Sequence, residues 1–175
     1  METELLNIES VSSEQKAAAL RKAGEIIREG GLVAFPTETV YGLGADALNA
    51  EAAAKIYAAK GRPSDNPLIV HIHDISQVYE IAEEVPDEAK AVMEKFWPGP
   101  LTIILNKKSC VPDGTTGGLH TVAIRMPSHP IARDFIRESG RMIAAPSANT
   151  SGRPSPTLAS HVYEDMQGRI PLILD

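Results

Sequence analysis

Short apolar runs that alternate with helix-period segments constrain this chain more than any other feature. Residues 32–35, 68–73, 101–105, 121–125, 142–144 and 171–174 each read as a strand. Between them, Ser12 and Gln15 form a capping-box pattern that opens an Ala-rich helix with Ala17, Leu20 and Ile27 on one face. Gly30-Gly31 ends that helix, and Asn49 caps another that runs to about Ala59. Ala89, Val92, Met93 and Phe96 recur at i, i+3, i+4 and i+7, and Trp97-Pro98-Gly99-Pro100 breaks the pattern. A helix over residues 130–139 follows, then one carrying Leu158, Val162 and Met166 on one face. Residues 107–118 are turn-rich and are expected at the surface. Strands alternating with helices predict an α/β fold layered around a sheet.

The chain's 175 residues suit one domain, with roughly 70% of the unfolded surface buried and no staple required. A hydrophobic fraction of 43% excludes a disordered protein. With 17 basic and 23 acidic residues the net charge is −6, which argues against wrapping nucleic acid by bulk electrostatics. The single Cys110 excludes internal disulfides and Cys-rich metal centres, and beside Lys107 and Lys108 it reads as incidental. No apolar run is long enough to span a membrane, and the opening Met1-Glu2-Thr3-Glu4 does not look like a signal peptide. The expectation is a cytoplasmic protein with one domain over residues 1–175.

Gly and Pro number 13 each, about 15% of the chain against an average near 12%. They gather with Ser, Thr, Asn and Arg directly after strands, where open α/β sheets place ligand sites. The first loop, residues 36–44, has Thr hydroxyls and glycines suited to a polar ligand, yet alone it reads as a tight strand-to-helix connection. The second joins Lys60-Gly61-Arg62-Pro63 to Asn66-Pro67 and a strand with His71 and His73. Its two cations can converge on one anion and its two histidines share a strand face; a solvated pair with half-buried histidines explains the residues equally well. Without a third ligand the histidines are a weak metal signal. The third loop, residues 145–155, offers hydroxyls and amides for a phosphate, although no Walker lysine motif occurs. Arg125, at a strand end, is placed for a carboxylate. No nucleophilic triad is present.

Taken together these segments resemble the YrdC-like threonylcarbamoyl-AMP synthase family. The resemblance rests on Phe35-Pro36-Thr37-Glu38-Thr39-Val40-Tyr41-Gly42-Leu43-Gly44, Lys60-Gly61-Arg62-Pro63, Asn66-Pro67-Leu68 and His71. It continues through Phe96-Trp97-Pro98-Gly99-Pro100-Leu101-Thr102, Arg125-Met126-Pro127 and Ser147-Ala148-Asn149-Thr150-Ser151-Gly152, in order and spacing from about Gly30 onward.

The resemblance implies a twisted mixed sheet flanked by helices, with a large concave ligand cavity. It implies that L-threonine, bicarbonate and ATP, the last with Mg²⁺, give threonylcarbamoyl-AMP and pyrophosphate for tRNA threonylcarbamoyladenosine modification. By the same correspondence Lys60, Arg62, Ser147 and Asn149 are catalytic. Thr39, His71, Arg125 and the backbone of Ala145 hold threonine. Arg62, Asn66, Thr121, Ser147 and Ser155 line the ATP site. No resident metal is expected. A threonylcarbamoyl-transferring partner is implied, with tRNA met indirectly or weakly. Family members continue into further sheet and ligand contacts, so residues beyond Asp175 are expected to complete the cavity wall. The alternative is a nucleotide- or RNA-binding module of this fold without turnover. A hydrogenase-maturation carbamoyl-transfer role is disfavoured by the single cysteine.

Overall fold

The capping pattern at Ser12 sets the first helix. The Ser12 hydroxyl accepts from the Gln15 amide and the Gln15 side chain returns to the Ser12 amide, both at 3.2 Å. The structure is a computed structural model that describes residues 1–61 and 66–175. Its helices are α1 (Ser13–Arg28), α2 (Ala50–Lys60), α3 (Val78–Ile81), α4 (Asp87–Phe96), α5 (Asp113–Thr116), α6 (Pro130–Ser139) and α7 (Ala159–Met166). Its strands are β1 (Glu4–Leu6), β2 (Val33–Phe35), β3 (Gly42–Asp46), β4 (Ile69–His71), β5 (Thr102–Asn106), β6 (Thr121–Arg125), β7 (Ile143–Ala145) and β8 (Leu172–Leu174).

The strands form one mixed sheet in the order β1-β8-β2-β3-β7-β4-β6-β5. Pairing is parallel for β1/β8, β8/β2 and β4/β6, and antiparallel for the remaining neighbours. Helices flank this sheet, as the α/β reading requires.

Side chains alternate between two apolar layers. One holds Ile27, Phe35, Phe135, Ile136, Ile143 and Leu174 under α1 and α6. The other gathers Leu43, Ile56, Val70, Ile124, Val162 and Ile173 with α2 and α7. The α1/α6 layer stops at β7. Beyond it the same sheet face continues, because His71 pairs with Ile143 and Arg125, and Ala123 pairs with Ile69 and Ile104. There Ile69, Thr121 and Ala123 are only half-buried and Ile104 is 65% exposed. Three of the eight strands, β4, β6 and β5, thus present an open face that carries Ile69, Ile104, Thr121 and Ala123 and ends at His71 and Arg125.

Several expectations are corrected. Residues 42–44, read as the end of a loop, open strand β3 (Gly42–Asp46), antiparallel to β2, so the first loop joins strand to strand. Its glycines serve packing: an added Cβ at Gly44 falls 2.7 Å from Ile143 Cγ2 and 3.0 Å from the Phe35 ring. The α1 face is built by Leu20, Ala23 and Ile27, while Ala17 is exposed. Phe96 is 50% exposed at the last residue of α4, with the Lys95 ammonium 5.4 Å from its ring, and Met93 supplies the burial. Leu158 precedes α7 and is exposed; Ala159, Val162 and Met166 face inward. The turn-rich segment 107–118 hides Val111, Thr115 and Thr116, with Thr115 Oγ1 donating to the Ala47 carbonyl at 2.7 Å. Among the described residues, no helix is long and apolar enough to cross a membrane.

Candidate functional site

Arg125 ends β6 beside His71, the last residue of β4, and its long side chain lies buried across the bare sheet face. Three groups fix the guanidinium. Nε donates to the Gly99 carbonyl at 3.2 Å, Nη1 to Thr39 Oγ1 at 3.2 Å, and Nη2 pairs with the Glu38 carboxylate. Thr39 and Glu38 come from the loop after β2, which crosses to meet them. Thr37 shapes that loop by donating to the Val40 carbonyl at 2.6 Å. The second Glu38 oxygen accepts from both the amide and the hydroxyl of Ser128. Burial pushes the Glu38 carboxyl up, but Ser128 and then Arg125 outweigh it and hold the pKa below the ordinary 4.5.

His71 is wholly buried, and its ring stands near the Phe35 ring. Nδ1 lies 3.0 Å from the Ile69 carbonyl and 3.3 Å from the Ile143 carbonyl. Carbonyl oxygens only accept, so Nδ1 carries the proton and Nε2 keeps a lone pair. His73 does not sit beside it as the strand reading expected. β4 ends at His71, and the His73 amide instead donates to Gln77 Oε1 at 2.8 Å.

A second cluster forms where α2 ends. Lys60 is 3% exposed; its ammonium donates to the Ser147 carbonyl and lies 3.4 Å from Asn149 Oδ1. Asn149 Nδ2 is committed to the Thr150 and Arg153 carbonyls at 2.9 and 2.8 Å. The Lys60 carbonyl accepts from the Ser151 amide at 3.0 Å, so the third loop is bound to α2 at two points. That loop is also sewn to the first. Gly42 bridges Ser147, Leu43 N donates to Pro146 O, Ala148 N to Tyr41 O, and Tyr41 N to Pro156 O.

The expected residues thus fall into contact sets with different degrees of closeness. Thr39, His71 and Arg125 converge on the bare sheet face, with Ala145 paired to Ile69 two residues before His71. Lys60, Ser147 and Asn149 form the second set. Ser155 lines a cavity of about 250 Å³ with Arg153, His161 and Asp165. Asn66 is exposed, and its carbonyl accepts from the Tyr57 hydroxyl. Thr121 opens β6, four residues from Arg125 and therefore about 13 Å away along the strand, on the same face. Arg62 lies outside the described residues. Glu38, Ser128 and the Gly99 carbonyl were not singled out from the sequence. An acid beside a threonine after a strand is a faint signal, and its link to Arg125 depends on a separation of 87 residues.

The chain matches the Sua5/YciO/YrdC family, described as "Telomere recombination", over residues 25–175. It belongs to that family. It is 55% identical over 173 residues to the threonylcarbamoyl-AMP synthase of Pyrococcus abyssi (strain GE5 / Orsay), covering 99% of this chain and 50% of that protein. It is 59% identical over 160 residues to the threonylcarbamoyl-AMP synthase of Bacillus subtilis (strain 168), covering 89% of this chain and 45% of that protein. The crystal structure of P. abyssi Sua5 complexed with L-threonine superposes with a TM-score of 0.93 at 54% identity, covering 98% of this chain and 50% of the other. The chain spans about half the length of these curated relatives.

Proposed function

We propose that this chain carries the synthase site that makes threonylcarbamoyl-AMP from L-threonine, bicarbonate and MgATP, a nucleotidyl transfer that releases pyrophosphate. The Arg125–Thr39 contact at 3.2 Å carries the reading. It joins, beside His71, two of the residues that the family resemblance assigns to threonine, and a relative with 54% identity is known with L-threonine bound.

The chemistry has two steps. The threonine amine attacks bicarbonate, and loss of water leaves a carbamate. A carbamate oxygen then attacks the ATP α-phosphorus, the Pα–O–Pβ bond breaks, and pyrophosphate leaves. Carboxylate, bicarbonate and triphosphate are all anions, so fixed cations in a poorly hydrated site supply most of the help. Arg125 is assigned to the threonine carboxylate, and Thr39 Oγ1 and the His71 Nε2 lone pair to its polar groups, beside the Ala145 backbone. Lys60, Arg62, Ser147 and Asn149 are assigned to the reacting anions, and Asn66, Thr121, Ser147 and Ser155 to ATP. Mg²⁺ enters as part of the substrate on the phosphate oxygens. Neutral His71 is suited to this task, since a lone pair accepts from a hydroxyl or ammonium group without adding charge. The concave cavity of the family is assigned to the bare face of β4, β6 and β5. The product passes to a threonylcarbamoyl-transferring partner acting on tRNA, in the cytoplasm.

The test is pyrophosphate release from ATP with and without L-threonine and bicarbonate. Release that requires both supports the reading. RNA retention with no pyrophosphate release would overturn it in favour of a binding module.

A further inference from the structure

We infer that Glu38 is a placeholder carboxylate that holds Arg125 until the carboxylate of an incoming amino acid replaces it. The inference rests on the threonine reading above for the identity of that amino acid. Its geometric basis stands apart from it.

An arginine whose side chain is 8% exposed calls for a counter-anion, because an uncompensated buried charge is strongly destabilising. Glu38 supplies that anion through one oxygen, while the neutral Thr39 and Gly99 oxygens occupy Nη1 and Nε. A substrate carboxylate seeking the same cation therefore meets a carboxylate already in place. Three features make Glu38 exchangeable rather than fixed. Its side chain is 22% exposed while that of Arg125 is 8%, so it can return to water more cheaply than the arginine. Its other oxygen is held independently by Ser128 N and Oγ, so Oε1 can leave Arg125 while Oε2 stays. Finally, Glu38 adjoins Thr39 on a short loop, so replacement on Nη2 leaves the Thr39 contact on Nη1 able to persist.

The consequence concerns affinity and discrimination. Displacement of Glu38 opposes binding, so the protein binds a carboxylate more weakly than a bare Arg125 would. A ligand succeeds only if its remaining contacts offset that loss, which selects against small carboxylates that match nothing else in the site. A Glu38 that instead grips the substrate's ammonium group predicts the opposite response to substitution.

Glu38→Gln removes the charge and keeps the shape. Titration calorimetry should give an L-threonine dissociation constant about threefold to tenfold lower than wild type, at and just above the upper end of the range for exposed ion pairs, because Glu38 is partly exposed. Acetate, which carries the carboxylate alone, should gain by a similar factor. An unchanged or raised constant for L-threonine in folded protein overturns the proposal. If Glu38→Gln fails to fold, Glu38→Asp, one methylene short of spanning Ser128 and Arg125, is read by the same criterion. A substrate-free arm separates this inference from the threonine reading. Phenylglyoxal modification of Arg125, followed by peptide mass, should be several-fold faster in Glu38→Gln than in wild type, and equal rates sink the placeholder. Wild-type protein that binds no L-threonine but shows this difference would fail the substrate assignment alone.

Discussion

The Phe35 ring meets the His71 imidazole edge-on, with centroids 5.8 Å apart and planes at 88°. This contact closes the inner side of the histidine, while Nδ1 is spent on the Ile69 and Ile143 carbonyls. Burial first, and the Arg125 charge second, push its pKa down to about 4. His71 is therefore neutral at pH 7 with its tautomer fixed.

Stability should consequently depend on pH in a specific window. The folded pKa is below the unfolded value of 6.5, so the unfolded chain takes up the proton first. This contribution is complete above 6.5 and is lost as pH falls toward 4, to a total on the order of 3 kcal/mol. The depressed carboxyl of Glu38 acts in the same direction but only below its ordinary 4.5, so the interval from 6.5 to 4.5 reports mainly on histidine. Urea midpoints at pH 7.0 and 5.0 should diverge in wild type and diverge less in His71→Asn, the remainder reporting His73, whose pKa is also held below 6.5 by burial and then Arg137. A His71 ring resonance that titrates near 6.5 would contradict the assignment.

Two glycines should respond differently to alanine. At Gly44 the added methyl meets Ile143 Cγ2 at 2.7 Å, the Phe35 ring at 3.0 Å and the Val33 carbonyl at 3.2 Å, between paired strands that cannot part. Gly44→Ala should cost about 1–3 kcal/mol through overpacking and should disturb the Phe35–His71 contact beneath the site. Gly61 has φ +67° and no described residue within 4 Å of the added methyl, so among these residues Gly61→Ala meets backbone strain, about 1 kcal/mol. Thermal melts of the two variants should keep that order.

The same glycines explain why part of the fold was hidden in the sequence. The runs at 68–73, 121–125 and 142–144 read as strands because they are short apolar runs rich in Val, Ile and Ala. Gly42-Leu43-Gly44 reads as loop because glycine weakens a strand locally, and the Phe35 ring with Ile143 and Ala145 gives the glycines a packing purpose. β1 is exposed at two of its three positions and so leaves no clear pattern. For the site, motif order brought out Arg125, Thr39 and His71, each at or just beyond a strand end. It gave no role to Glu38, whose partners Arg125 and Ser128 lie 87 and 90 residues away. A one-dimensional pattern carries no information about which loop crosses a sheet.

Substrate choice follows from the small set of polar groups near Arg125. Threonine and serine differ by one methyl, worth about 1–3 kcal/mol in a fitted pocket, so serine should be used at a reduced rate. Valine keeps the shape and loses the hydroxyl, so the proposed contact of that hydroxyl with Thr39 Oγ1 or His71 Nε2 is not made. It should be rejected more strongly than serine. Competitive pyrophosphate-release assays with the three amino acids give the ranking directly. Equal use of threonine and valine would mean that neither group reads the hydroxyl.

Lys60 offers the sharpest separation between stability and catalysis. Its ammonium is buried, donates to the Ser147 carbonyl and approaches Asn149 Oδ1, so it ties the third loop to α2. Lys60→Met keeps the length and apolar stem but leaves that carbonyl and amide oxygen without the cation, costing about 1–3 kcal/mol of stability. The backbone tie from Ser151 N to the Lys60 carbonyl survives the substitution, so the loop should remain docked. Loss of one electrostatic stabiliser of the transition state should then lower kcat for pyrophosphate release by about 10²–10³-fold. A merely structural lysine predicts a different pattern, in which the melting temperature falls but kcat, measured well below that temperature, stays within a few-fold of wild type. Arg62→Ala provides the comparison, since it removes a cation of the same motif and should lower kcat by a similar factor. Melting curves and kcat measured on the same preparations distinguish the two roles, and a folded Lys60→Met protein with near-normal turnover would remove Lys60 from the reaction.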